Sequence, residues 1–123
     1  MDYPVVDVED ALDHTGGDRE LLGQLCTVFL AECPTELQEV RAAVQAGSAY
    51  TIERTAHKLK GSTSVLGGLQ ASEAALRLEH AALGDAAQIG GCFEALQSAV
   101  AALMDRIRQL EQEIAAEEGN APV

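Results

Sequence analysis

Apolar residues recur along most of this chain at intervals of three and four, the spacing that puts them on one face of an α-helix. Strict alternation of apolar and polar positions, the mark of a half-buried strand, is rare. Five helical segments follow. A short one covers roughly 7–14, and GGD (16–18) breaks it, with Asp18 placed to cap the next. The second runs from about 19 to 46 on the stripe Leu22, Leu25, Phe29, Cys33, Leu37, Val40 and Val44. Pro34 interrupts it and is expected to kink or split the helix. Gly47 and Ser48 separate it from a third segment, about 49–67, which Gly67 and Gly68 stop.

The fourth segment, about 69–83, closes at Gly84. Asp85, with Gln88 three residues on, has the spacing of a capping box for the fifth. The fifth stripe is Ile89, Phe93, Leu96, Val100, Leu103, Ile107, Leu110 and Ile114; the pair Gly90-Gly91 weakens its start, which could therefore lie later. Short links between long amphipathic helices favour antiparallel neighbours. The expected fold is all-α: an up-down-up-down four-helix bundle with a small extra N-terminal helix across one end. No repeat or second domain is visible. Residues 1–116 form the expected bundle domain, and 117–123 an acidic tail that follows a fraying helix end.

Composition fits this picture. Apolar residues make up 47% of the 123 positions but aromatics only 3%, so the core must be aliphatic. The net charge of −12 argues against nucleic acid and anionic membrane surfaces as partners. The acidic N-terminus has no signal-peptide core, and no run approaches the roughly 20 apolar residues of a membrane span. Cys26, Cys33 and Cys92 form no CxxC motif and read as small core residues in a reducing cytoplasm.

One stretch breaks the helical logic. TAHKLKGSTSVLGG (55–68) puts Gly61 inside a helix, at a cost of about 1 kcal/mol relative to alanine. On a helical wheel Ile52, Ala56, Leu59, Thr63 and Leu66 share the core side. His57, Lys60, Gly61 and Ser64 gather on the other, flanked by Glu53 and Arg54. A glycine one turn after an exposed histidine lets another molecule approach the imidazole. The chain's two lysines, Lys58 and Lys60, both flank His57, and with Arg54 they make a basic patch able to attract an anion such as a phosphoryl group. The alternative is a solvated helix face with a stray histidine.

The fourth helix bears on that choice. Leu69, Ser72, Ala75, Leu76, Leu78, Ala82 and Leu83 form its apolar arc; Gln70, Glu73, Arg77 and His80 oppose them. Glu79 falls inside the apolar arc, where a carboxylate is costly unless partnered. His57 on the adjacent antiparallel helix is the available partner. A carboxylate accepting from Nδ1–H fixes the tautomer and leaves the Nε2 lone pair outward, as a nucleophilic imidazole requires. Snorkelling of Glu79 to the bundle edge is the bland alternative.

HKLKGSTSVLG (57–67) resembles the signature of histidine phosphotransfer (HPt) domains of bacterial two-component phosphorelays. GGDRELLGQLCTVFLAECPTELQEV (16–40) looks like that family's second helix, and RLE (77–79) sits where the family places a Gln or Glu against the imidazole. The similarity covers roughly 7–112. It implies that His57 is the phospho-acceptor on Nε2, that Lys60 neutralises phosphoryl charge, that Gly61 admits the partner and that Glu79 orients the ring. Arg54, Lys58, Gly61 and Ser64 would face the partner; His14 and His80 match no functional position. The implied activity is acceptance of a phosphoryl group from a receiver-domain phospho-aspartate and its transfer to another receiver aspartate. The partners would be receivers of response regulators or hybrid kinases.

The resemblance implies a cytoplasmic, monomeric carrier, dependent on its partner for catalysis. It needs no cofactor, Mg²⁺ being expected on the receiver. No acidic cluster beside His57 and no phosphate-binding glycine loop suggests a metal or ATP site. A di-iron bundle is disfavoured because no histidine has Glu three residues before it. A phosphorylation-independent interaction module keeps the bundle but has no use for an oriented imidazole. A piece of a larger kinase is the third alternative; the initial Met and loose tail favour a stand-alone protein.

Overall fold

The structure is a computed structural model that describes residues 3–119. Among these it holds five α-helices and no strand: α1 (Val8–His14), α2 (Arg19–Ala46), α3 (Ala49–Val65), α4 (Leu69–Gly84) and α5 (Ile89–Gly119). Local caps set most of these bounds. The Asp18 carboxylate accepts from Leu21 N at 3.0 Å, satisfying an orphan donor at the start of α2. Gly47 ends α2 at φ +69, a left-handed conformation that glycine adopts without a Cβ penalty. Ser48 then caps α3 through Thr51 N.

The four long helices close a ring. α2 packs on α3 and α5, and α4 packs on α3 and α5. Cross-helix pairs fix the directions: Arg19 with Glu117 and Thr27 with Glu111 between α2 and α5, Ser62 with Glu36 between α3 and α2, His57 with Glu79 and Thr63 with Ser72 between α3 and α4. With Lys58 and Glu39 as a second pair between α3 and α2, one number rises as the other falls in the α2–α5, α2–α3 and α3–α4 contacts. α4 and α5 are therefore antiparallel too, and the bundle runs up-down-up-down. The axis is filled by Leu22, Cys26, Cys33, Val40, Ile52, Leu59, Leu78, Leu96, Leu103 and Ile107, all essentially shielded from water. At about 25 cal/mol per Å² of apolar area removed from solvent, this aliphatic core is the main stabilising term.

α1 and the residues just before it strap the end of the bundle where α3 turns into α4. Asp7 N donates to Gly67 O at 2.8 Å, and Gln70 N donates to Pro4 O at 3.2 Å. Gly67 has φ +68, and a Cβ there would lie 2.2 Å from the Asp7 carbonyl oxygen. The adjacent Gly68 admits the Leu103 side chain, which an added Cβ would meet at 2.8 Å. The double glycine is therefore a packing requirement of this end, on two different sides.

Several expectations are corrected. Pro34 does not split α2: the helix is continuous from Arg19 to Ala46, with Pro34 on the exposed face, where water can serve the Leu30 carbonyl that loses its partner. Asp85 makes no side-chain cap; its carbonyl accepts from Gln88 N at 3.0 Å in a single 3-10 turn (Ala86–Gln88) ahead of α5. α5 starts before Gly90-Gly91, not after. Leu83, assigned to the apolar arc of α4, is 70% exposed, because it lies in the last turn, beyond the reach of the packed core. The boundary expected at 116 falls inside α5, which continues to Gly119 while the Arg19 guanidinium forks onto both Glu117 oxygens at 2.8 Å. Residues 120–123 of the expected tail lie outside the described residues.

Candidate functional site

The site is built where α3 and α4 face each other near their middles. Ile52, Ala56, Leu59 and Thr63 anchor α3 in the core, which rolls His57, Lys58 and Gly61 outward. Ala71, Ala75 and Leu78 anchor α4 and carry Glu79 inward beside them. The His57 side chain is 65% exposed and that of Glu79 only 8%. His57 Nδ1 is hydrogen-bonded to Glu79 Oε1. Lys60 Nζ, one turn along α3, donates to the other oxygen, Glu79 Oε2, at 3.3 Å.

This arrangement has a chemical consequence. An ionised carboxylate can only accept, so its hydrogen bond places the proton on Nδ1. The Nε2 lone pair is then left on the solvent side of an exposed ring. Two donors, one of them cationic, offset the cost of taking the carboxylate out of water. The same cation sits one side chain away from the imidazole, close to where negative charge would arrive.

Three hydroxyls below the site tie the two helices in register. Ser72 Oγ lies 2.8 Å from Thr63 Oγ1 and 2.9 Å from Ser64 Oγ. Ser64 Oγ also donates to Lys60 O at 2.7 Å. Ser64, singled out as a partner-facing residue, is thus half-buried and spends its hydroxyl on the α3–α4 contact. On the other flank Ser62 Oγ donates at 2.9 Å to Glu36 Oε1, a buried carboxylate of α2.

The remaining candidates are distributed over the exposed face. A Cβ on Gly61 would meet nothing within 4 Å, so its lack of a side chain answers no internal demand. Lys58 Nζ is 3.7 Å from Glu39 Oε2 on α2. Arg54 turns away from His57, donating from Nη1 to Tyr50 Oη at 3.1 Å. His80 is exposed on α4, and His14, exposed at the end of α1, is 3.8 Å from Asp10. Among the described residues no group of three or more His, Cys, Asp or Glu side chains is gathered as a metal cage, and no helix is long and apolar enough to cross a membrane. Sequence reasoning missed Glu36 and Tyr50: a stripe pattern reports which face a residue is on, not what lies opposite.

Comparison with known proteins decides the family. The family model described as the Hpt domain matches residues 24–117. The chain belongs to the Hpt domain family. As an Hpt domain it is a phosphotransfer module of phosphorelays, and its helical bundle is the fold of solved Hpt structures. One is the histidine-containing phosphotransfer protein B (HptB) from Pseudomonas aeruginosa PAO1, with a TM-score of 0.81 and 23% identity, over 91% of this chain and 98% of that one. Another is the HPT domain of a sensor hybrid histidine kinase from Shewanella, with a TM-score of 0.58 and 16% identity, over 97% of each chain. Identity at this level speaks for the fold alone. No curated protein matches this Hpt domain.

Proposed function

We propose that this Hpt domain is a phosphoryl carrier that accepts from the phospho-aspartate of one receiver domain onto His57 Nε2 and passes the group to the aspartate of another. The observation that carries the reading is the shared Glu79 carboxylate, which takes Nδ1 of an exposed imidazole on one oxygen and Lys60 on the other. In the accepting step the Nε2 lone pair attacks phosphorus in line. The P–N bond forms as the P–O bond to the aspartyl carboxylate breaks, and the carboxylate leaves with that electron pair. The Nδ1 proton stays on the ring, held by Glu79. Passing the group on is the reverse reaction with a different aspartate.

Phosphoryl transfer depends on positioning and charge neutralisation more than on covalent help from the protein. Lys60 supplies charge, and the open surface at Gly61 supplies access. The receiver brings the acidic pocket and Mg²⁺, so the carrier does not turn over alone. We place this exchange in the cytoplasm. The test is transfer of radiolabelled phosphate from phospho-receivers of the same cell to the wild type and to His57→Gln. Acid-labile, base-stable label on the wild type alone is expected. Label persisting on His57→Gln, or no label from any receiver, contradicts the reading; binding without transfer points instead to an interaction module.

A further inference from the structure

The His57–Glu79 contact has a second polar contact two turns away along the α3–α4 seam. Ser64 lies seven residues after His57 on α3, and Ser72 lies seven residues before Glu79 on α4. Seven residues nearly complete two turns, so the paired positions share one face of each helix, about 10 Å apart along the axis. The hydroxyls of Ser64 and Ser72 meet at 2.9 Å, and Thr63 Oγ1 is 2.8 Å from the same Ser72 oxygen. Because the helices are antiparallel, the register that closes one contact closes the other. A slide of one residue, about 1.5 Å, opens both.

Lys60 lies between the two contacts and is held at both ends. Its ammonium donates to Glu79 Oε2, and its carbonyl accepts from Ser64 Oγ at 2.7 Å and from Thr63 Oγ1 at 3.0 Å. A hydroxyl carries one proton. Thr63 and Ser64 have α3 carbonyls to donate to, Leu59 O and Lys60 O. Among the described residues Ser72 Oγ has no partner on its own helix. Its proton therefore goes across the seam, to Thr63 or Ser64.

Local sequence does little to secure this register. GSTSV (61–65) consists of weaker helix formers than alanine or leucine. The His57 side chain is 65% exposed, so water competes for its hydrogen bond to Glu79. The hydroxyl cluster is the sheltered contact: Thr63 is fully buried, and Ser64 and Ser72 are half-buried. We propose that Ser72 is a positioning residue for phosphoryl transfer. Its hydroxyl holds α4 at the register on α3 where one Glu79 carboxylate reaches both His57 Nδ1 and Lys60 Nζ. It touches no reacting atom and acts through Glu79. The effect on transfer rests on the carrier reading, whereas the effect on the imidazole does not.

Ser72→Ala removes the donor across the seam and leaves Thr63 and Ser64 their own carbonyls; alanine favours the helix, so the fold holds. The experiment compares it with Ser72→Thr, which keeps the hydroxyl, and with Thr27→Ala, which removes a hydroxyl bonded to Glu111 on the α2–α5 seam. The readouts are the ¹⁵N shifts of the neutral His57 ring, labelling by the small donor phosphoramidate, and second-order transfer from a phosphorylated receiver. In Ser72→Ala the two ring-nitrogen shifts should converge as the Nδ1–H tautomer loses its preference. Both labelling rates should fall by about three- to tenfold, a fraction of the cost of an ångström-sized misplacement. Equal loss with both donors marks a displaced ring rather than lost docking. Ser72→Thr should restore shifts and rates, and Thr27→Ala should leave them at wild-type values even where its melting temperature falls. Wild-type shifts and rates in Ser72→Ala, a loss that Ser72→Thr does not restore, or the same loss in Thr27→Ala overturns the positioning role. A wild-type protein that neither donor labels overturns the carrier reading, and the ring shifts still decide the register.

Discussion

His57 Nδ1 meets Glu79 Oε1 across the α3–α4 contact, twenty-two residues away in sequence. The exposed ring and the buried carboxylate belong to opposite environments, and the hydrogen bond between them is what gives the imidazole a direction. Glu79→Ala removes that direction and Lys60's partner together. The expected outcome is phosphorylation of His57 slowed on the order of 100-fold, since small misplacements of a reacting group have effects of that size. Both donors remain within reach of water, so stability should change by no more than about 1 kcal/mol. Phosphorylation rates and thermal melts of the same preparations check the two halves.

Gly61→Gln tests access from the opposite direction. The position is open and helical, so the substitution should leave the fold intact or stabilise it by up to about 1 kcal/mol. On the proposed carrier reading, the longer side chain projects into the space the receiver would occupy. Receiver-to-protein transfer should fall, relative to phosphoramidate labelling, by about tenfold or more. An unchanged ratio would remove Gly61 from the docking surface.

Gly67→Ala concerns the strap at the bundle end. Its φ of +68 is unfavourable for any other residue, and the new methyl meets the Asp7 carbonyl. A loss on the order of 1–3 kcal/mol is expected from the backbone strain alone, with further loss if the strap detaches. Denaturant unfolding measures it, and faster hydrogen exchange at the Asp7 and Gln70 amides would locate it.

These three positions differ in how visible they are from sequence. Gly61 and Glu79 are legible because each violates a local rule: a glycine in a helix interior, a carboxylate in an apolar arc. The helix ends at Asp18, Gly47 and Ser48 are legible because the capping group is within a few residues of what it caps. Asp85 has the same local spacing and no cap forms, since the chain enters α5 through a 3-10 turn. The need for Gly67 comes from Asp7, sixty residues earlier, which no local pattern reports. Leu83 and Tyr50 escape because a helical wheel takes no account of where the neighbouring helices stop.

The cysteines give a pH prediction. Burial pushes the Cys26 thiol up to about 11 from 9.0, with the Glu111 charge adding to it. Cys33 is pushed up to about 11 in the same way, by burial and then by Glu36. The native state therefore holds these protons more tightly than the unfolded chain. That contribution to stability is complete below pH 9 and is lost as pH rises through 11. The melting temperature should fall across that window, and less steeply in Cys26→Ala/Cys33→Ala. At pH 8 a thiol reagent should modify the partly exposed Cys92 quickly and the two core thiols only on unfolding; three equal rates would contradict the burial described.

The most direct test of the central claim is the position of the phosphoryl group itself. The protein is phosphorylated by a phospho-receiver, and the modified nitrogen is assigned by ³¹P–¹⁵N NMR with imidazole-labelled histidine. A single phosphoramidate on Nε2 of His57 is expected. A group on Nδ1 of His57, or on His14 or His80, would contradict it.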